Sequence, residues 1–532
     1  MSAPSYPHDT TKEIALVATG AEDSVIENEP QLHVHLRTYL AIFAVCLVYV
    51  AQNFAIVGAG AGADYWGRKW FLIIPSIFGV VGCMIIGQAS DMPMAIAGFT
   101  VLGIAFGPQG LVHAVTSQVL PRRWRPWGQA AAMTSTSLGL VLGLIAAGAV
   151  NRSGSANGFR NYYYINAGLF VLAAILCGVA YHPPPTKQQL EIGSLPEKLA
   201  RLDWVAYALL VGSLVLFCTS LTWSLNPYPW SDAHVSAPFA VSIVLAVALI
   251  TYEWKFKADG LFHHGLFQNR MFAICLFCVF CEGVAFFAAI TYFPFQTNVL
   301  YEEDFLLVTV RFAIGFLATL FASLITGLYC ATTRKVRLAA FVAFLIFVAF
   351  FAGMASTTRH SNTAAWGLPI LMGWGLGMTM VAIVTAAQLC VPHALITTAS
   401  CLLISVRSLG GTVGIAIYQA VFRLGMSHLG DNIAEAAITA GLPASSVLDF
   451  VTDLVGQDST ALLTVPGVTP NIIGAGAAAL FDTYAASFKS VWVTAITFVG
   501  IAAIVSLFMF DPSKEFNNLI DAPVEKEERP YS

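Results

Sequence analysis

Gly60-Ala61-Gly62-Ala63-Asp64-Tyr65-Trp66-Gly67-Arg68-Lys69 is a compact charged turn between two long apolar runs. Its glycines let backbone and helix ends pack closely. Asp64 lies where the next helix begins and meets the positive end of its dipole, and Arg68 and Lys69 pin the turn to a basic interface. A turn of this build reads as the hinge between two transmembrane helices. The rest of the chain carries the same signature: 57% of its 532 residues are hydrophobic, 11% are charged, and the mean hydropathy is +0.73. Soluble domains carry about 25% charged residues, so this is a polytopic membrane protein, with the lipid bilayer as a partner and nucleic acid not.

A helix needs about 20 mostly apolar residues to cross a bilayer, where no water satisfies a bare backbone. That criterion gives spans at 38–58, 70–88, 93–118, 129–150, 162–181, 204–224, 236–254, 271–293, 305–330, 336–355, 364–388, 396–424 and 488–510. The fold is all-α, with thirteen spans, an odd number. Residues 1–36 hold no apolar run of the signal-peptide kind and read as a disordered tail, leaving the first span as the insertion signal.

Short loops rich in Lys and Arg stay in the cytoplasm. One alternate set of loops holds Arg68 and Lys69; Arg122, Arg123 and Arg125; Lys187, Lys198 and Arg201; Lys255, Lys257 and Arg270; and Arg334, Lys335 and Arg337. That set is assigned inside. The other set, with Asp91, Asp232, Glu302-Glu303-Asp304 and the long segment 426–487, is assigned outside. Followed forward, the alternation places the C-terminal tail 511–532 inside. Followed backward it fails, because a single span ahead of Arg68 puts the N-terminus, with Arg37 at the membrane, outside. Either span 38–58 does not cross normally or a helix is missing.

Few chemical motifs interrupt the apolar background. No glycine-rich loop with a phosphate-binding lysine occurs, so ATP drive is not expected. No paired His and Asp cluster sits at a membrane face, so no enzyme activity and no cofactor are expected. Cys275, Cys278 and Cys281 invite a metal reading, yet positions six apart diverge around a helix and no histidine is near; they read as packing residues and no metal is expected.

Ionisable groups inside a bilayer are costly and are functional candidates by default. Glu282, in Cys281-Glu282-Gly283, is the clearest buried carboxylate and the candidate for proton coupling; the alternative is a carboxyl hydrogen-bonded to a neighbouring helix. Arg407, beside Gly410 and Gly411, faces the central cavity or a carboxylate partner; a helix-packing salt bridge is the plainer alternative. Arg311 lies about two helical turns from the outer surface, within reach of it by snorkelling. His113 is a cavity candidate whose plainer reading is a structural hydrogen bonder. Trp366 and Trp374, with Gly367, Gly373, Gly375 and Gly377, suggest a thin, bendable gate helix or plain packing.

The ordered spacing G-x-G-x-D-x-x-G-R-K from Gly60 to Lys69 resembles the signature loop after the second helix of the major facilitator superfamily. Pro121-Arg122-Arg123-Trp124-Arg125 resembles its loop after the fourth helix. Gly139, Gly143 and Gly148 occupy glycine positions of its fifth-helix antiporter motif, with Leu144 in place of the motif's proline. Arg160 to Asn166 and Leu202-Asp203-Trp204 resemble the starts of the sixth and seventh helices of the fourteen-helix drug/proton antiporter branch. Within it the chain is similar nearly end to end to the fungal trichothecene efflux pump family, a relative of fungal siderophore transporters. Leu36 to Leu40, Ala63 to Trp70, Ser405 to Gly411 and Ala440 to Ser446 carry that likeness.

The resemblance implies a gating motif at Gly60, Gly62, Asp64, Gly67, Arg68 and Lys69, and an acidic residue where this chain has Gln118. It also implies two helices ahead of Asp64 where this chain has one, so the second helix is missing. The implied layout is an incomplete N-terminal bundle over 37–181, a linker with two central helices over 182–255, a C-terminal bundle over 256–425, an outer loop over 426–487 and a last helix over 488–510. The implied activity is secondary, proton-coupled efflux of a toxic small organic compound such as a mycotoxin or drug, at the plasma membrane or a vacuolar or vesicle membrane. Siderophore-iron uptake, and a truncated, transport-deficient remnant or sensor, stand as alternatives.

Overall fold

The computed structural model describes residues 68–118, 120–152, 157–180, 203–223, 228–256, 264–392, 395–456 and 459–518. The span expected at 38–58 and the turn residues Gly60, Gly62, Asp64 and Gly67 lie outside the described residues, and so does the question of the missing helix.

The chain is an all-α bundle in which twelve helical segments, among the described residues, are long and apolar enough to cross a membrane. In order they are α1 (Arg68–Gln88); α2 (Met92–Ile104) with α3 (Gln109–Gln118), one span broken at Gly107-Pro108; α4 (Arg125–Asn151); α5 (Gly158–Ala180); α6 (Trp204–Trp223); α7 (Ala233–Lys255); α8 (Arg270–Leu300); α9 (Phe305–Thr333); α10 (Arg337–Ala355); α11 (Ala364–Leu389); α12 (Ile396–Met426); and, after the short helices α13 (Leu429–Thr439), α14 (Val447–Gly456) and α15 (Ser459–Thr464), the long α16 (Pro470–Ser506). Pro108 offers no N–H to continue α2, which accounts for the break.

Several acids read as outer-loop charges prove to be helix caps. Asp91, Asp232 and Asp304 accept the N–H groups of Met94, His234 and Leu306 at 2.9 Å each, starting α2, α7 and α9. The backbone N–H of His234, and then its ring, hold the Asp232 carboxyl below the usual carboxylate range.

The largest departure from the expected spans is at the end of the chain. The last helix begins at Pro470 and not at 488, and the expected outer loop 426–487 is mostly helical. Hydropathy alone ends the span where polar residues such as Asp482 appear. The helix runs on because its face has something to bury: Ile473, Leu480 and Tyr484 join one apolar cluster with Leu429, Ile433, Ala437, Phe450 and Leu454. Gly476 leaves room for the Phe450 ring, 2.9 Å from where a Cβ would stand. Gly441 ends α13 in the left-handed region at φ 102°, and the Leu442 N–H reaches back to the Ala437 carbonyl at 3.0 Å, which accounts for the Ala440-Gly441-Leu442-Pro443 motif.

α4 and α9 lie together along their length, and small residues make this possible. Gly327 sits over Ala130 and Gly148 against Thr309, with the Thr134 and Ser323 hydroxyls 3.1 Å apart between them. This seam joins the early helices α1–α5 to the later bundle of α8–α12 and α16, whose core is aromatic: Phe272, Phe293, Phe312, Phe344, Phe347, Phe350 and Trp492 are fully buried. Cys275, Cys278 and Cys281 are free thiols buried in the same core.

Loops collect at two opposite ends. Arg122, Gln268, Arg270, Pro392 and Glu515 line one cavity at the end rich in arginine, the basic face. At the acidic face Arg152 pairs with Asp304 at 3.2 Å, and the Tyr301 hydroxyl donates to the Thr358 carbonyl at 2.8 Å.

Candidate functional site

Glu282 on α8 is fully buried, and α12 supplies its partner. Arg407 Nε donates to Glu282 Oε2 at 2.6 Å and Nη2 to Oε1 at 3.0 Å, a fork that satisfies both carboxylate oxygens. The guanidinium also lies 4.5 Å from the centre of the Phe286 ring, and its side chain keeps 18% exposure. Glycine makes the pair possible. Gly283 lies against the Arg407 carbonyl, Gly410 against the Phe280 carbonyl and Gly411 against the Phe287 ring, so the two helix backbones all but touch and the charges are held within one side-chain length. Arg407 thus has a carboxylate partner, and the pair lies at a close helix contact.

A second constellation lies toward the basic face, where α3 and α4 meet α11 and α12. His113 Nδ1 stands 2.6 Å from Gln129 Oε1. A carbonyl oxygen only accepts, so Nδ1 carries the proton of this bond. The Gln129 amide donates to the His113 carbonyl at 2.9 Å and to Ser117 Oγ at 2.6 Å. Ser117 donates across to Gln388 Oε1 at 2.6 Å, and Gln388 Nε2 donates to the His113 carbonyl at 3.0 Å and to Ser400 Oγ at 2.8 Å. Arg125 Nη1 donates to the Gln388 backbone oxygen at 2.9 Å. Every one of these side chains is at least nine-tenths buried. They form a polar knot between the early helices and the later bundle, and Arg407 lies within electrostatic reach of His113.

Two amides at the centre of this knot, Gln129 and Gln388, were invisible as candidates because each stands at the terminus of an expected span, where a polar residue reads as interfacial. Gln118 packs beside them, 3.4 Å from Thr397 Oγ1, with its own Oε1 buried and without a hydrogen-bond partner.

Arg311 does not snorkel. It is 2% exposed, donates to Asn362 Oδ1 at 2.6 Å and to Glu302 Oε2 at 2.7 Å, and lies 4.7 Å from the centre of the Trp366 ring. The nearby acid of the outer loop supplies its counter-charge. Of the antiporter-motif glycines only Gly148 makes a tight contact; a Cβ at Gly139 would meet nothing within 4 Å, and one at Gly143 only the Tyr162 hydroxyl at 3.5 Å. Gly373 lies against the Gly315 carbonyl of α9, so the expected thin helix packs there. Arg68 opens α1, and Lys69 Nζ donates to the Gly178 carbonyl at 2.7 Å, a cation at the C-terminal end of α5.

Membrane-crossing helices in two sets, a small-residue seam between the sets and a paired carboxylate and guanidinium buried at a helix contact make this a multi-pass helical membrane protein. The chain belongs to the fungal trichothecene efflux pump (TRI12) family, whose profile matches residues 36–523. It is 24% identical over 484 residues to the trichothecene efflux pump TRI12 of Fusarium sporotrichioides, covering 86% of this chain and 78% of that one. It is 26% identical over 462 residues to the MFS-type efflux transporter ffsH of Aspergillus flavipes, covering 84% and 77%. A solved structure of the proton:xylose symporter XylE aligns with a TM-score of 0.49 at 11% identity, covering 96% of this chain and 95% of that one.

Proposed function

We propose that this transporter moves a toxic, small amphipathic organic compound out of the cytoplasm in exchange for protons, with Glu282 as the proton-carrying group. The observation that carries the proposal is the fully buried Glu282 paired with Arg407 on the helix that also holds Ser400 of the polar knot. Protonating Glu282 neutralises the carboxylate and releases Arg407, which loosens α8 from α12. α12 in turn carries Thr397 and Ser400, which hold α3 and α4 through Gln118 and Gln388. A proton arriving on Glu282 is thereby converted into a weaker grip between the two sets of helices, and rocking exposes the binding cavity to the opposite side. The turn from Gly60 to Lys69 serves as a gate on the basic, cytoplasmic face. Trichothecene-like compounds, in keeping with the relatives' names, are the substrate class to try first, and the plasma membrane is the site of action, with vacuolar or vesicle membranes as the other candidates.

The test uses the full chain in sealed vesicles with an imposed proton gradient and a radiolabelled trichothecene. Substrate movement against the proton flow that collapses with a protonophore supports the proposal. Movement of equal rate with and without the gradient refutes it, and accumulation of a ferric siderophore in place of the trichothecene assigns the chain to uptake.

A further inference from the structure

After α16 the chain turns back across its basic face. Asp511 Oδ1 accepts the N–H groups of Val336 at 2.7 Å and Arg337 at 2.9 Å, capping α10, and Ser513 Oγ donates to the carbonyl of Arg334 at 3.3 Å. Arg334 is the residue that ends α9 in a left-handed conformation at φ 57°. One end of the segment is thus tied to the loop between α9 and α10. Its other end is tied elsewhere: Glu515 Oε2 lies 2.9 Å from Arg122 Nη1, and the Asn517 carbonyl accepts the N–H of Arg123 at 2.9 Å. Those two arginines form the turn between α3 and α4. Between the attachments Phe516 is 3% exposed, so the crossing is packed down and does not float in solvent. Beneath it lies a cavity of about 650 Å³ lined by Arg122, Arg270, Cys390, Phe510 and Glu515.

We propose that residues 511–517 form a strap that holds the basic face shut, and that opening on this side requires Glu515 and Asn517 to let go of Arg122 and Arg123. The strap spans the joint between the α9–α10 loop and the α3–α4 turn, so any rotation of α3 and α4 away from the later bundle pulls on it. The polar knot of Gln129 and Gln388 closes the same face from inside and the strap from outside. A half-exposed ion pair and one backbone hydrogen bond are weak contacts. Their strength suits a device that sets how often the face opens and does not forbid opening.

Cys390, at the end of α11, is a native reporter. Burial, and then the charge of Glu515, push its thiol up to about 12, so it reacts slowly while the face is shut. The experiment follows labelling of Cys390 by N-ethylmaleimide in the full chain in nanodiscs, resolved by peptide mass spectrometry, for the parent, Glu515→Gln, Arg122→Gln and the charge-swapped R122E/E515R. Releasing the strap accelerates labelling about threefold in both single variants, and the swap returns it toward the parent rate. The two singles separate the strap from a local field: loss of an anion speeds thiolate formation and loss of a cation slows it, so only opening accelerates both. Acceleration in Glu515→Gln with slowing in Arg122→Gln, no change in either, or a swap as fast as the singles overturns the proposal. The inference rests on the reading that the two sets of helices part during transport. The assay needs no substrate or proton gradient, so its failure would leave proton-coupled efflux standing.

Discussion

Replacing Arg407 by Met takes the counter-charge away from a carboxylate with no exposed surface and breaks two charge-assisted hydrogen bonds, of 2.6 and 3.0 Å. Removing one member of a buried ion pair costs about 3–5 kcal/mol, and the lost contact of the guanidinium with the Phe286 ring adds about 0.5–2 kcal/mol. Set against a total stability of about 5–15 kcal/mol, the Arg407→Met chain should be severely weakened. The reciprocal Glu282→Met is expected at the lower end, about 3 kcal/mol, because the stranded guanidinium retains 18% exposure and can hydrate. The double variant, with two apolar side chains of similar length, removes both charges and should return to within about 1–2 kcal/mol of the parent. Unfolding of the purified chain in mixed micelles of rising SDS fraction gives all four corners of the cycle. These figures imply a coupling of about 5–9 kcal/mol. Strictly additive losses, or an Arg407→Met cost under about 1 kcal/mol, would refute the claim that the pair is held dry and tight.

Gly410→Leu drives a side chain into the Phe280 backbone and should lower the yield of folded protein sharply. Gly139→Leu, with nothing within 4 Å, should stay within about 0.5 kcal/mol of the parent in the same unfolding assay. Gln388→Leu takes the acceptor from the Ser117 hydroxyl, at about 1–3 kcal/mol for the donor left unpaired, and removes one of two donors from the His113 carbonyl; it should speed maleimide labelling of Cys401, which faces Gly110 across the α3–α12 contact, and unchanged labelling would count against the knot. A form carrying about forty further residues between Gly60 and Asp64, enough for one span and its loop, should give a pump-deficient host higher toxin resistance than the 532-residue chain does. Full resistance from the 532-residue chain, with its N-terminus mapped to the cytoplasm by protease access, would refute the missing-helix argument.

Hydropathy made most of the bundle legible, because an apolar run of span length has few other places to go. It failed at α16, where helix 470–487 persists on contacts with α13 and α14 that no local window contains. Glu282 and Arg407 stood out singly as charges in apolar surroundings, but their partnership joins positions 125 residues apart and only close α8–α12 packing reveals it. The likeness in Ser405-Val406-Arg407-Ser408-Leu409-Gly410-Gly411 carried the clue in one respect: the arginine and the glycines that let it reach Glu282 belong to the same stretch. Gln129 and Gln388 left no such mark, since a glutamine at a span end is ordinary until two of them are found buried against each other. Arg311 was misread for a related reason, as its rescue by Glu302 depends on the loop folding inward over it.

The central claim is that Glu282 carries the proton that drives transport, and the most direct measurement compares the parent with Glu282→Gln, matched for expression, in vesicles under imposed proton gradients of either direction. Glutamine keeps the shape and one acceptor for Arg407 but cannot load and release a proton. The account predicts that the parent pumps substrate against the proton flow while Glu282→Gln still exchanges labelled for unlabelled substrate and shows no response to the gradient. A Glu282→Gln chain that retains the parent's dependence on the gradient would contradict it.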